Sequence, residues 1–449
     1  MLFDLIEESK KIIAIDTAGA AGTRRLAEHL APYCRVLGFQ VSFQSPNSGP
    51  AVDQNLIAHT QADGAPDLCP QGLAMVTHLD TVPAGDLSLW TETGGDPYRA
   101  TIKGDELYGL GSADTKLDFL CKLLAIEQVG LKKIKIPLAL IGTFGEERSL
   151  EGVRLLRDSG RLKPKFALVG EPCELKAVVA HKGILYMSAS LTRSSATLSR
   201  GGRGQEIVFK GKAAHGSMPH LGDNAVEKAM RWAVEQEGVD IVEIQGGTVH
   251  NVVPERCVVR VGACGHSEAV PSRGTPLRTE FIRKFLHCMD AARAYLKTQT
   301  NAAFDPPHTT DNIGVVRMRD GEVIEIEFDF RLIPETDGNV LFEMFKEIEK
   351  EMADAKIEII RSNAPMNTSP ESEIARRVAE AQTEVGLTPE FLVKSGNTEG
   401  AIFSSMGVEA VVTGPGRAVG NIHAPNEHNE VPQLHKAVEF YAAFLRQFC

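Results

Sequence analysis

No apolar run in this chain is long enough to span a bilayer. The opening residues, Met1-Leu2-Phe3-Asp4-Leu5-Ile6-Glu7-Glu8-Ser9-Lys10, lack the basic stretch and long apolar stretch of a signal peptide and read instead as the start of an amphipathic helix. An excess of basic residues is missing too. Lys and Arg number 48 against 59 Asp and Glu, a net charge of −11, which argues against nucleic acid as partner because phosphate binding needs a basic face. A cationic pocket for a small substrate remains compatible with an acidic protein. The eight cysteines include no CxxC pair and are scattered through apolar runs, as free thiols of a reducing compartment are. Low-complexity tracts and internal repeats are also lacking. These absences lead to the expectation of a cytoplasmic protein. Its 449 residues are enough for about two or three domains with cores of normal size.

Periodicity then divides the chain. Helical spacing covers residues 2–14 and 21–37. Ala74-Met75-Val76-Thr77 is a short apolar strand that runs into His78, and 114–130 reads as a helix opening with Asp114. Ile136 to Thr143 and Phe166-Ala167-Leu168-Val169 are continuous apolar runs of the kind buried on both faces, with a helix at 149–159 between them. This alternation predicts an α/β domain with a mixed, largely parallel sheet. Near Lys182 the pattern changes. Alternating stretches at 184–210 flank a Ser/Arg/Gly-rich connection at 193–204. Helices near 223–236, 277–298 and 339–353 follow, with strands near 239–245, 255–263, 312–318, 322–330 and 356–360, which predicts an α+β sandwich. From about residue 366 the α/β pattern resumes, with a helix at 371–386, a strand at 409–412, a loop carrying His423 and a helix at 431–447. The expected domains are 1–182 with 366–449, interrupted by an inserted domain at 183–365.

Five short acidic and histidine motifs lie in order, each beside a predicted strand end. In His78-Leu79-Asp80 the outer residues would share one side of a strand, so that His78 can ligate a metal while Asp80 accepts its other ring N–H. Asp114, after a glycine-containing turn, sits where a helix N-cap would be, and its two oxygens could also bridge two metals. Glu146 and Glu147 are adjacent carboxylates that repel unless a cation or a proton intervenes, and one can ligate while the other polarises a water. Glu171 follows a buried strand, and His423 lies in a Gly/Pro-rich loop. Singly, each motif is an ordinary turn or loop. Together they supply two imidazoles and several carboxylates at strand ends, where open α/β sheets hold their sites. A pair of divalent, zinc-like ions prefers such donors, and the combination points to metal-assisted hydrolysis.

As a set, HLDTVP, YGLGSADTK, GEE, GEP and GPG…HAPNE resemble the motifs of the zinc metallohydrolase superfamily that contains acetylornithine deacetylase, succinyl-diaminopimelate desuccinylase, aminoacylase and glutamate carboxypeptidase. The likeness runs from about residue 10 to the C-terminus. It implies that His78, Asp114 and Glu171 bind one metal, with Asp114 bridging, and that Glu147 and His423 bind the other. Glu146 would be the general base and Asp80 the partner of His78. One or two Zn2+ per subunit are implied, with Co2+ as a substitute. Residues 211–225, Gly-Lys-Ala-Ala-His-Gly-Ser-Met-Pro-His-Leu-Gly-Asp-Asn-Ala, look like the signature of the family's lid and dimerisation domain. His215 would stabilise the oxyanion, often in the partner subunit's site, and a homodimer is implied. Asn251 and Arg331 match substrate-binding positions, the Arg for a carboxylate. Glu171-Pro172-Cys173-Glu174-Leu175, Ala180-His181-Lys182-Gly183 and Asn397-Thr398-Glu399 follow the pattern of the acetylornithine deacetylases. The implied reaction is hydrolysis of the amide of an N-acyl amino acid. The same site could instead serve a metallo-dipeptidase or carboxypeptidase, or a succinyl-diaminopimelate desuccinylase. One departure stands out: an extra segment near 264–310, with its own helix and a Pro-rich loop at 305–307, separates Asn251 from Asp329; surface insertions are tolerated, but near a lid this one could reshape the pocket or the dimer interface.

Overall fold

A computed structural model of the chain describes residues 2–46, 52–192, 205–236, 241–261, 275–319 and 323–449. The connection at 193–204 and residues 262–274 of the extra segment lie outside the described residues. The chain divides into two compact units. One comprises Met1–His181, Met366–Val393 and Thr398–Cys449; the other comprises Lys182–Pro365 with Lys394–Asn397. No helix among the described residues is long and apolar enough to cross a membrane.

The first unit is built on a nine-stranded mixed sheet. At its centre Leu73–His78 runs parallel to both Leu138–Thr143 and Phe166–Gly170, and Glu409–Val412 runs parallel to Phe166–Gly170. Antiparallel strands flank this centre: Asn55–His59 and Gln40–Gln44 on one side, Ala177–His181 and Met366–Asn367 on the other. The central strands are buried at every position, which explains their unbroken apolar sequences. Alternate side chains divide between two cores. Leu73, Met75, Leu138, Leu140 and Leu168 pack with residues of helices Leu5–Ile13, Arg24–Leu37, Lys116–Val129, Glu373–Glu384 and Val431–Arg446. Ala74, Val76, Ala139, Ile141 and Val169 pack with residues of helices Glu151–Asp158 and Gly400–Ser405. Helices on both faces make this unit a three-layer α/β sandwich.

Register decides what happens at the sheet edge. His78 pairs with Thr143, Thr77 with Gly170, and Val412 with Val169, so the parallel strands finish level with one another. The segments carrying His78, Glu146, Glu171 and His423 therefore leave the sheet from one edge.

The second unit is a seven-stranded antiparallel sheet in the order Gln205–Lys210, Arg256–Val261, Ile241–Gly246, Thr310–Arg319, Val323–Leu332, Gly183–Thr192 and Ala355–Asn363. One apolar core joins it to helices Ala225–Glu235, Thr275–Leu296 and Gly338–Glu351. The described helix of the extra segment, Thr275–Leu296, is part of this core. It buries Phe281, Ile282, Phe285, Leu286, Met289, Ala292 and Leu296 there, and the Phe285 ring meets Phe328 edge to face at 4.9 Å. At roughly 1.5–3 kcal/mol for each large apolar side chain buried, this face contributes on the order of 10 kcal/mol before entropy is counted. Arg293, on the same helix, adds ion pairs to Glu227 at 2.6 Å and to Asp311 at 2.6 Å.

Candidate metal centre

Six candidate donor residues converge at the level edge of the parallel strands. His78 ends its strand with 1% of its side chain exposed, its Nε2 3.0 Å from Asp114 Oδ1. Asp114 Oδ2 lies 3.1 Å from His423 Nε2, which is also 3.0 Å from Glu147 Oε1. Three overlapping groups each bring their donor atoms within 4.8 Å: His78 with Asp114 and Glu171, Asp114 with Glu147 and His423, and His78 with Glu146 and Glu147. Asp114 belongs to two of them and offers a different oxygen to each histidine. Imidazole and carboxylate donors grouped in this way fit a divalent ion on either side of Asp114.

Local structure accounts for the placement. Gly145 has a φ of 65°, a left-handed turn that suits glycine, and starts the short helix Glu146–Ser149 directly beyond the strand Leu138–Thr143. The N–H groups of Glu146 and Glu147 at that turn donate to the two carboxylate oxygens of Asp80, each at 3.1 Å. Asp80 thus differs from its expected part. The His78 Nδ1–H donates to the Asp80 carbonyl at 3.1 Å, while the nearest Asp80 carboxylate oxygen stands 3.8 Å away, drawn off by two free helix N–H groups. Asp114 differs as well: the helix begins at Lys116 with Thr115 in the capping position, which leaves the Asp114 carboxylate free for the histidines. Glu427, not singled out from the sequence, accepts from the N–H of Ala113 (2.8 Å) and Asp114 (2.9 Å) and anchors that turn. Its place within His-Ala-Pro-Asn-Glu was the available signal.

Crowded acids dominate the electrostatics. Burial opposes charge on His78, but its hydrogen bond to Asp114 and the charges of Asp114, Glu146 and Glu171 outweigh that and hold its pKa well above the usual value. Hydrogen bonds to Asp114 and Glu147 raise His423 to about 11. Burial, then the charge of Glu171, pushes the Glu146 carboxyl well above the carboxylate range, and burial also raises Glu147. Burial works in the same direction on Asp114, yet its bonds to His423 and His78 prevail and lower it.

The remaining expected residues lie in the second unit. His215 Nδ1 accepts from the Ser217 N–H at 3.1 Å, so its neutral form carries the proton on Nε2, and burial with the charge of Arg331 lowers its pKa. Arg331 is buried and paired with Asp329, whose Oδ2 accepts from its Nε at 3.0 Å and lies 2.9 Å from its Nη2. Asn251 and Arg331 are far apart in sequence but near in this unit. Asn312, opposite Asp329 in register, donates to the carbonyls on either side of Asn251, those of His250 (2.7 Å) and Val252 (3.1 Å).

Residues 74–447 match the family described as Peptidase family M20/M25/M40, and the chain belongs to this family of hydrolases. An acetylornithine deacetylase from Myxococcus xanthus is 25% identical, over 98% of this chain and 96% of that protein. Among solved structures, the aminoacylhistidine dipeptidase of Vibrio alginolyticus superposes with a TM-score of 0.71 at 16% identity, covering 99% of this chain and 96% of its own. An M20 family metallo-carboxypeptidase of Sulfolobus solfataricus gives 0.63 at 19%, covering 99% of each chain. Both structures share the fold.

Proposed function

We propose that this chain is a metal-dependent amidohydrolase that cleaves the amide of an N-acyl amino acid, in the manner of an acetylornithine deacetylase. The observation that carries the reading is the shared carboxylate: Asp114 faces His78 with one oxygen and His423 with the other. His78, Asp114 and Glu171 would hold one zinc-like ion, and Asp114, Glu147 and His423 a second. When bound, the metal supplies Lewis acidity toward the scissile carbonyl and toward the attacking water. Glu146 takes the proton of that water and returns it to the leaving amine; its carboxylate lies within 4.8 Å of donor atoms on His78 and Glu147. Asp80 fixes Glu146 and Glu147 through their backbone N–H groups. His215, with its proton on Nε2, is assigned to the oxyanion, Arg331 to a substrate carboxylate and Asn251 to the substrate. The second unit is assigned as the lid and dimerisation domain of a homodimer. The full-length Myxococcus relative supports acetylornithine as the first substrate to test.

The test compares metal-stripped protein with and without Zn2+ or Co2+ on N-acetylornithine, N-succinyl-diaminopimelate and several dipeptides. Metal-restored release of ornithine is expected. Glu146→Gln should still bind metal and lose about 10²–10⁴-fold in kcat. Activity on dipeptides alone would replace the substrate and keep the chemistry, whereas a fully active Glu146→Gln would refute the base.

A further inference from the structure

Beneath the donor residues lies a polar cluster that the proposed chemistry does not use. Helix Lys116–Val129 is buried on almost all sides, and Asp118 and Lys122 sit one turn apart on it, both inaccessible to solvent. Lys122 Nζ is 2.6 Å from Asp118 Oδ2 and donates to the Val76 carbonyl at 2.7 Å and the Thr77 hydroxyl at 2.9 Å. That hydroxyl donates in turn to Asp118 Oδ2 at 2.5 Å. The hydroxyl of Tyr441, from helix Val431–Arg446, donates to Asp118 Oδ1, with the Thr413 carbonyl 3.3 Å away. Gly170 and Gly414 leave room for the carboxylate. A Cβ on Gly170 would stand 2.0 Å from Asp118 Oδ2, and one on Gly414 would stand 3.2 Å from Asp118 Oδ1.

The Asp118 carboxylate therefore accepts from Thr77, next to His78, lies beside Gly170, next to Glu171, and near Gly414, and is joined through the Tyr441 hydroxyl to Thr413 at the start of the segment leading to His423. A fully buried ion pair is a poor source of stability, because the desolvation of both charges offsets their attraction and an apolar replacement is often neutral or stabilising. The contacts here explain its presence better as a spacer. Lys122 also lies near Glu399, another fully buried carboxyl.

We propose that Asp118, Lys122 and Tyr441 are positioning residues that hold the ends of strands Leu73–His78 and Phe166–Gly170 at the separation a metal ion on His78, Asp114 and Glu171 requires. This rests on reading those three as donors. The test measures zinc affinity by chelator competition and unfolding of the metal-free protein in urea. It uses wild type, Asp118→Leu/Lys122→Met, Tyr441→Phe, Thr77→Val, and the apolar control Leu123→Ala from the same helix. The double variant is expected to unfold at a urea concentration no lower than wild type yet bind zinc about 10–100-fold more weakly, the usual effect of losing an outer support of a metal site. Tyr441→Phe and Thr77→Val, which keep the ion pair, should weaken zinc binding in the same direction, while Leu123→Ala should lose stability with its affinity unchanged. Wild-type affinity in the double variant and in Tyr441→Phe, or an equal loss in Leu123→Ala, would overturn the positioning role. A wild-type protein that binds no zinc would overturn the donor reading and this proposal with it.

Discussion

Loading the site with zinc at pH 7 is expected to expel about two protons from the imidazoles, and the structure supplies the count. His78 Nδ1 faces the Asp80 carbonyl at 3.1 Å and its Nε2 faces Asp114 at 3.0 Å, two acceptors that call for a proton on each nitrogen. The metal-free ring is therefore an imidazolium, in keeping with a pKa held well above its usual value against the opposing effect of burial. His423, raised to about 11 by Asp114 and Glu147, is charged as well. On the ligand set proposed above, metal binding would take one proton from each ring. The two imidazole protons should then lower affinity about 100-fold for each unit of pH lost between 7 and 6, close to 2.7 kcal/mol, and protons held by Glu146 and Glu147, whose pKa values burial raises, add to that fall. Because the groups titrate together, the count belongs to the cluster rather than to either ring alone. Calorimetric titration in two buffers of different ionisation enthalpy measures it directly, and His423→Ala should release about one proton fewer. Release of less than one proton at pH 7, or an affinity indifferent to pH between 6 and 7, would refute the argument: either the rings are neutral without metal or they are not its ligands.

Two further outcomes concern stability. Phe285→Ala should cost about 3–5 kcal/mol in urea unfolding, because the inserted helix is part of the core; a cost below 1 kcal/mol would return that segment to the surface. Glu399 is fully buried, neither carboxylate oxygen makes a hydrogen bond of good geometry, and burial raises its pKa to about 7. The folded state then holds a proton that the unfolded chain has already released between pH 4.5 and 7, so stability falls as pH rises through that window. Glu399→Gln should remove about 2 kcal/mol of that fall, read as the wild-type-minus-variant difference in urea unfolding at pH 5 and pH 7. Parallel pH dependences in the two proteins would show that Glu399 does not carry it.

Much of the donor geometry was legible because continuous apolar runs announce central parallel strands, and polar residues just beyond them must emerge at one edge. What escaped the sequence depended on partners far along the chain. Asp80 could be placed beside His78, but not the pull of the Glu146 and Glu147 N–H groups, which reach it only once Gly145 has turned. Asp118 and Lys122 fall within the helix read at 114–130, but one-dimensional spacing does not show that this helix is covered on nearly every side. The helix near 277–298 was visible as a period, though not the vacant face of the second sheet that it fills. Short strands such as Thr101–Lys103, Glu106–Tyr108 and His428–Glu430 carry too few residues to set up an alternation.

The two histidines differ in their access to water: 1% of the His78 side chain is exposed, against 49% for His423, which also takes a left-handed backbone conformation at a φ of 57°. On the reading proposed above, this difference sets an order of departure. An ion held by His423 and Glu147 is open to a chelator from solvent, and rotation of one loop residue frees it. An ion held by His78 and Glu171 leaves only after the strand ends themselves give way. The protein would then pass through a long-lived state with a single ion on its way to the empty one, and preparations of intermediate metal content would be one species rather than a mixture.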